Sequence, residues 1–208
     1  MSALTATSSR LSRSFYARPV LEVAEDVIGK TLVSRSADGV AAGRIVEAEA
    51  YRGPEDRAAH SYGGRRTART EVMFGPPGHA YVFFVYGMHW NFNLVTGSEG
   101  EPQAVLIRAL EPLVGLDLMA LRRGLSKERP ELTNGPGKLC RALGIAGADY
   151  GVDLCKSRIF LAEGSKAVVA RSPRVGIDYA GTWAKKPWRF FERGNRYVSK
   201  VSKRLQLR

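Results

Sequence analysis

The chain has 208 residues, enough for one domain with a real core, and its 44% apolar and 25% charged content is ordinary for a soluble globular protein. Thirty-two Lys and Arg against twenty Asp and Glu give a net charge of +12 and a pI near 10.0. That excess favours a polyanionic partner and says nothing about fold. Cys140 and Cys155 form no Cys-x-x-Cys pair, and His60, His79 and His89 show no spacing that matches them. No disulfide framework, metal site or cofactor is therefore expected, and a reducing compartment, the cytoplasm, fits.

Residues 1–14 are rich in Ser and Arg without an apolar centre, so they read as a flexible tail rather than a signal peptide. Residues 15–208 read as a single domain without internal repeats. Val20 to Ser34 predicts a short helix followed by a strand. Arg44 to Tyr51 (RIVEAEAY) alternates and predicts a strand. Gly53-Pro54-Glu55-Asp56 resembles a helix start, with an early proline and acids in the first turn, and Gly63-Gly64 would end that helix just after His60. Ala80 to Val95 is the clearest hairpin, turning around Gly87-Met88; its interruption by Gly87, His89, Asn91 and Asn93 argues against a membrane span. Ala104 to Ala109 predicts a strand, and Val114 to Arg123 an amphipathic helix carrying Leu116, Met119 and Leu121. Lys138 to Leu143 begins a helix after the Asn134-Gly135-Pro136-Gly137 turn, with Gly144 as its cap. Short strands follow near Ile159, Val168 and Phe190. Strands outnumber helices and few helices join consecutive strands, so the expected class is α+β: a curved, mainly antiparallel sheet with peripheral helices and a protruding hairpin.

The period-two rule puts Glu47, Glu49 and Tyr51 on one strand face. Two acids there fit either a solvated face paired to arginines or a working site. Acids so close on one strand diverge too little to flank a substrate, which favours one working acid with a supporting neighbour. His60 alone, near a helix end, reads more readily as a capping or surface group than as a catalyst, and gains interest only from Glu49 and Tyr51 just upstream. The hairpin carries Phe83, Phe84, Tyr86, Trp90 and Phe92. Most suit a core, but Tyr86 and Met88 sit at its tip, where an apolar side chain on a basic protein can act as a wedge between base steps. A three-residue loop, Gly87 to His89, would pair Phe83 with Asn93 on one face, whereas an even loop would separate them. Arg65, Arg66, Thr67 and Arg69 form a basic cluster, and Lys138 enters a helix whose free N–H groups suit an anion. Together with the tip they outline a groove for a phosphate backbone, though each also fits plain solvated surface.

The stretches VEAEAYRGPEDRAAHSYGGRRTART, GPPGHAYVFFVYGMHWNFNLV, AVLIRALEPLVGL, NGPGKLCRALGI and RVGIDYAGTWAKKPWRF resemble the alkyladenine (3-methyladenine) DNA glycosylases of the mammalian and Bacillus type, over most of the chain from Ala17 to Ser199. The resemblance implies a monomeric, monofunctional DNA glycosylase without lyase activity, acting on double-stranded DNA that contains damaged purines. It implies that Glu49 deprotonates the attacking water, with Arg108 and the backbone carbonyl of Val175 holding it. It implies a base pocket of Tyr51, Ala58, His60, Phe83 and Asn93, with Asn93 set to clash with the 2-amino group of guanine. It implies Tyr86 and Met88 in the minor groove, and Arg65, Thr67, Arg69 and Arg123 along the DNA backbone, where Lys138 is placed by its helix start. At one position the sequence departs from the mammalian members: a stacking tyrosine is here Phe83, which keeps a flat π face and loses a hydroxyl.

Two rival readings share some of these features. A non-enzymatic basic nucleic-acid-binding protein would explain the charge and the aromatics but not the acids of RIVEAEAY. A hydrolase of free nucleosides would use those acids but not the basic loop or the hairpin tip.

Overall fold

A computed structural model of the protein describes residues 9–126 and 129–199. Eight strands form one sheet in which every pairing is antiparallel. They are β1 (Thr31–Ser36), β2 (Gly39–Tyr51), β3 (Ala80–Val85), β4 (His89–Thr96), β5 (Gln103–Val114), β6 (Ile159–Ala162), β7 (Val169–Ser172) and β8 (Arg189–Glu192). The order is β3-β4-β5-β2-β1-β6. The long β2 pairs with β1 over its first half and with β8 over residues 47–49, so two short strands share one of its edges. Among the described residues four α-helices accompany the sheet, α1 (Arg13–Tyr16), α2 (Val20–Asp26), α3 (Leu116–Arg123) and α4 (Pro136–Leu143), with several short 3-10 segments. This is the single-domain α+β fold expected, with the β3–β4 hairpin as predicted. No helix among the described residues is long and apolar enough to cross a membrane.

Alternation along the central strands sorts their side chains onto two faces. Ala48 and Ala50 of β2, Val105 and Ile107 of β5, Phe92 and Leu94 of β4 and Val82 of β3 pack into the core with Val20 and Val23 of α2, Val27 just past its end, and Leu139 and Leu143 of α4. Each large side chain removed from water there contributes roughly 1.5–3 kcal/mol. The intervening residues, Glu47, Glu49, Tyr51, Leu106, Arg108, Asn91, Asn93, Tyr81 and Phe83, belong to the opposite face. The site is built on that face, and its floor inherits the rigidity of the sheet.

Several expectations are corrected. Gly53-Pro54-Glu55-Asp56 starts no α-helix. Residues 53–64 form successive turns closed by Asp56 N–H to Gly53, Ala59 N–H to Asp56 and Tyr62 N–H to Ala59, with a single 3-10 turn at Tyr62–Gly64. The Asp56 carboxylate accepts the amides of Arg52 and Ala58 and pairs with Arg174. An aspartate that bonds the backbone two residues on makes a turn and diverts the chain from a helix. The hairpin loop is three residues long, but it is Tyr86 to Met88. Phe83 therefore faces Asn91, and Tyr81 faces Asn93; the odd loop still leaves Phe83 and Asn93 on one side. Leu121 of α3 is exposed, because it lies about 200° round the helix from buried Met119. The segment read as a tail to residue 14 is docked in its described part: Arg10 bridges to Ala162, Leu11 is buried, and Arg13 pairs with Asp153 at 2.6 Å. Residues 1–8 of that segment lie outside the described residues.

Candidate active site

Glu49 has no exposed surface. Its Oε2 accepts the Tyr51 hydroxyl at 2.9 Å and Arg108 Nη1 at 3.3 Å, and its Oε1 accepts the Val175 amide at 2.7 Å. A carboxylate has about four lone-pair sites, so three donors leave room for one more. Glu47, one pleat away, accepts Arg108 Nε at 2.8 Å, Arg189 Nε at 2.7 Å, and both the amide and the hydroxyl of Ser199, at 2.7 and 2.8 Å. Burial alone would lift the Glu47 carboxyl. The charges of Arg108 and Arg189 and the Ser199 amide outweigh it and hold the group below the ordinary carboxylate value. Glu47 is thus a saturated anion behind Arg108, and Glu49 is the acid with a coordination position to spare.

Arg108 reaches both acids because of a break in the ladder. Between Glu47, opposite Ala109, and Ala48, opposite Ile107, Arg108 has no partner of its own on β2. Such a bulge re-aims a side chain. The guanidinium loses by burial but gains from Glu49 and Glu47, which keep it protonated above its usual value. For Tyr51, burial and the Glu49 charge both push the hydroxyl well above its ordinary value, so it acts as a donor.

Above this floor lies a cavity of about 290 Å³, near the lower end of the roughly 300–1,000 Å³ common for small-molecule sites. Tyr51, Ala58, His60, Phe83, Asn93, Arg108, Val175 and Tyr86 all line it, with Tyr81, Asn91, Gly176 and Tyr179. The His60 and Phe83 rings meet edge-on with centroids 4.7 Å apart, and His60 Nδ1 shares a 2.7 Å hydrogen bond with the Tyr81 hydroxyl. His60 is open to solvent at the cavity mouth but closely flanked. That enclosure, with the positive charges of Arg69 and Arg65, lowers its pKa to about 4, so the ring is neutral at pH 7. Asn93 is pinned by donating Nδ2 to the Tyr81 carbonyl at 2.9 Å.

Two residues that sequence reasoning missed hold the far wall, Asp56 and Arg174. Arg174 has a fully buried side chain, forks onto Asp56 at 2.5 and 2.9 Å, and lies over the rings of Tyr51 and Trp188 at 4.7 and 5.1 Å. It donates to the Ala50 carbonyl as well. One arginine thereby fixes the turn at Asp56, the back of Tyr51 and the segment that presents the Val175 amide. The local signal was thin: Arg174 directly precedes Val175, but Arg171, Ser172 and Asp178 make the surrounding stretch polar enough for a surface arginine. For Val175 the structure brings the N–H, not the carbonyl, to Glu49.

The remaining candidates stand at the rim. Tyr86 is 84% exposed and Met88 66%. Tyr86 is the one described non-glycine residue with positive φ, at 53°, a backbone state that costs about 1–3 kcal/mol and clusters at functional positions. Tyr86 separates the cavity from a second one of about 680 Å³, which Met88, Arg123 and Lys138 line. Arg123 donates to the carbonyls of Leu132 and Glu131, and Lys138 to Asn134. Arg65, Thr67 and Arg69 do not reach the first cavity; they occupy an exposed loop, where Arg69 lies over the Phe83 ring at 4.7 Å. Arg66 is held by Glu71 at 2.6 and 2.9 Å, whereas Arg65 and Arg69 form no salt bridge among the described residues. Both cysteines are free thiols.

The family model of the methylpurine-DNA glycosylases (MPG) matches residues 14–196. A relative from Desulfitobacterium hafniense is 53% identical over 91% of this chain and 98% of its own length. Relatives from Methanocella arvoryzae and Bacillus cereus are 50% and 49% identical, covering 91% and 90% of this chain and 96% and 97% of theirs. All three bear the name "Putative 3-methyladenine DNA glycosylase". The chain belongs to the methylpurine-DNA glycosylase family, a family of DNA glycosylases.

Proposed function

We propose that the protein is a monofunctional glycosylase of base excision repair. It everts an alkylated or deaminated purine (3-methyladenine, hypoxanthine, ethenoadenine) from duplex DNA into the 290 Å³ cavity and hydrolyses its N-glycosidic bond with water activated by Glu49. The observation that carries this reading is the Glu49 carboxylate, fully buried and not itself in the cavity lining, but bonded to three donors from residues that do line it, Tyr51, Arg108 and Val175, with one lone-pair position to spare. The 3-methyladenine name of the relatives supports the substrate class.

The steps follow from the groups present. A base in a duplex hides its glycosidic bond, so the nucleotide leaves the stack, at a cost of a few kcal/mol that damage lowers. Tyr86, with Met88 beside it, fills the gap it leaves. Arg65, Thr67, Arg69, Arg123 and Lys138 lie along the phosphates. Tyr51 and Phe83 stack on the base, and electron-rich rings favour an electron-poor alkylated purine. As the C1′–N bond breaks, its electron pair leaves with the base and positive charge grows on the sugar, where the Glu49 anion stabilises it. Water bonds to C1′ and gives its proton to Glu49, leaving an abasic sugar and a free base. A cationic N-alkyl purine departs neutral and needs no acid. A neutral leaving base needs a proton, which His60, neutral down to about pH 4, does not supply at pH 7.

A duplex with one hypoxanthine, incubated with the protein and then treated with alkali, is expected to break at that position. Borohydride is expected to trap no covalent adduct, because the nucleophile is water. No break above the blank, or a trapped adduct, would contradict the proposal.

A further inference from the structure

Two buried polar atoms around the cavity have no hydrogen-bond partner among the described residues: Arg174 Nε, behind the far wall, and Asn91 Oδ1, on a residue that lines the cavity. Glu49 holds Tyr51, Arg108 and the Val175 amide; His60 holds Tyr81; Asn93 holds the Tyr81 carbonyl. Asn91 is different. It lies beside Asn93 on the same face of β4, opposite Phe83, it lines the cavity, and only 9% of it is exposed. Its Oδ1 is buried without a hydrogen-bond partner among the described residues. Natural proteins rarely leave a buried polar atom unpaired, and one at a binding wall points to a ligand that completes it.

The unmet atom is an acceptor, so it asks for a donor. Enzymes that evert bases read them by hydrogen bonds to the pairing edge, and the pairing edge of a purine can carry an N–H. The neighbouring Asn93 is pinned by its Nδ2 to the Tyr81 carbonyl, which fixes it as a steric element. We propose that Asn91 is a specificity-determining residue: its carboxamide oxygen accepts a hydrogen bond from an N–H on the pairing edge of the everted purine. Asn93 excludes by shape and Asn91 selects by bonding. A purine whose pairing edge bears no N–H leaves the Asn91 oxygen orphaned. This inference rests on the glycosylase reading above.

Two lesions separate the possibilities by their own chemistry. Hypoxanthine has an N1–H; in ethenoadenine the bridge ties up N1 and N6 and no pairing-edge N–H remains. Single-turnover excision of each, in one duplex context, is compared for the unmodified protein and for Asn91→Leu, with Asn91→Ala as the second variant should the leucine not fit. Removing the acceptor is expected to slow hypoxanthine excision about tenfold while ethenoadenine stays within roughly twofold, the scale of one lost hydrogen bond. Equal losses on both lesions would mark a structural role and overturn the proposal; unchanged rates on both would overturn it as well. If the unmodified protein excises neither lesion yet releases 3-methyladenine from alkylated DNA, this inference falls alone; if it releases none of the three, the glycosylase reading falls with it.

Discussion

The floor of the cavity and its rim are built by opposite rules. On the floor and the far wall behind it, Glu47, Glu49, Asp56 and Arg174 are 5% exposed or less, Arg108 is 8% exposed, and every charge meets a counter-charge or an amide. At the rim, Tyr86, Met88 and Tyr179 hold large apolar surfaces in water, and Tyr86 does so from a left-handed backbone. The floor needs nothing from outside to be complete: its groups hold one another in position before any substrate arrives, which is what electrostatic preorganisation requires. The rim is incomplete by construction, since exposed aromatic area gains only when something covers it. Stability and catalytic geometry are thus concentrated below the cavity, and affinity for a large partner above it.

Substitutions that break this contrast should separate in what they cost. The largest effect is expected from Arg174→Met, which strands the Asp56 carboxylate in a dry site. Orphaning one member of a buried pair costs about 3–5 kcal/mol, which for a chain of this size lowers Tm by roughly 10 °C or more. Thermal denaturation reads it directly, and a shift of a degree or two would mean that the far wall is held by something else. A smaller effect, opposite in sign, is expected from Tyr86→Gly. Relief of the left-handed backbone adds about 1 kcal/mol of stability, while the fluorescence change that reports eversion of ethenoadenine in a bound duplex is lost. A destabilised Tyr86→Gly that still everts the base would erase the distinction between rim and floor.

The parts of this architecture that were legible in the sequence are those governed by short-range periodicity. Alternation in RIVEAEAY is enough to place Glu49 with Glu47 and Tyr51 on one face, and the turn chemistry around Gly87 is enough for a hairpin. What escaped depends on partners far along the chain. Asp56 sits in a run that satisfies every local rule for a helix start, yet Arg174, 118 residues away, claims its carboxylate. The bulge that turns Arg108 toward both glutamates arises from pairing with β2, which no window on β5 reveals. The hairpin register slipped because Tyr86 adopts a positive φ normally reserved for glycine, a choice that composition around the turn does not announce. Asn91 read as a polar interruption of an apolar strand; only its unpaired oxygen distinguishes it from Asn93.

The central claim is that one carboxylate does the chemistry and little of the binding. Glu49→Gln preserves shape and removes the base, so single-turnover excision of hypoxanthine from a duplex should fall by two or more orders of magnitude, in keeping with a lost general base, while lesion binding stays near that of the unmodified protein. Excision at a near-normal rate by Glu49→Gln would contradict the account.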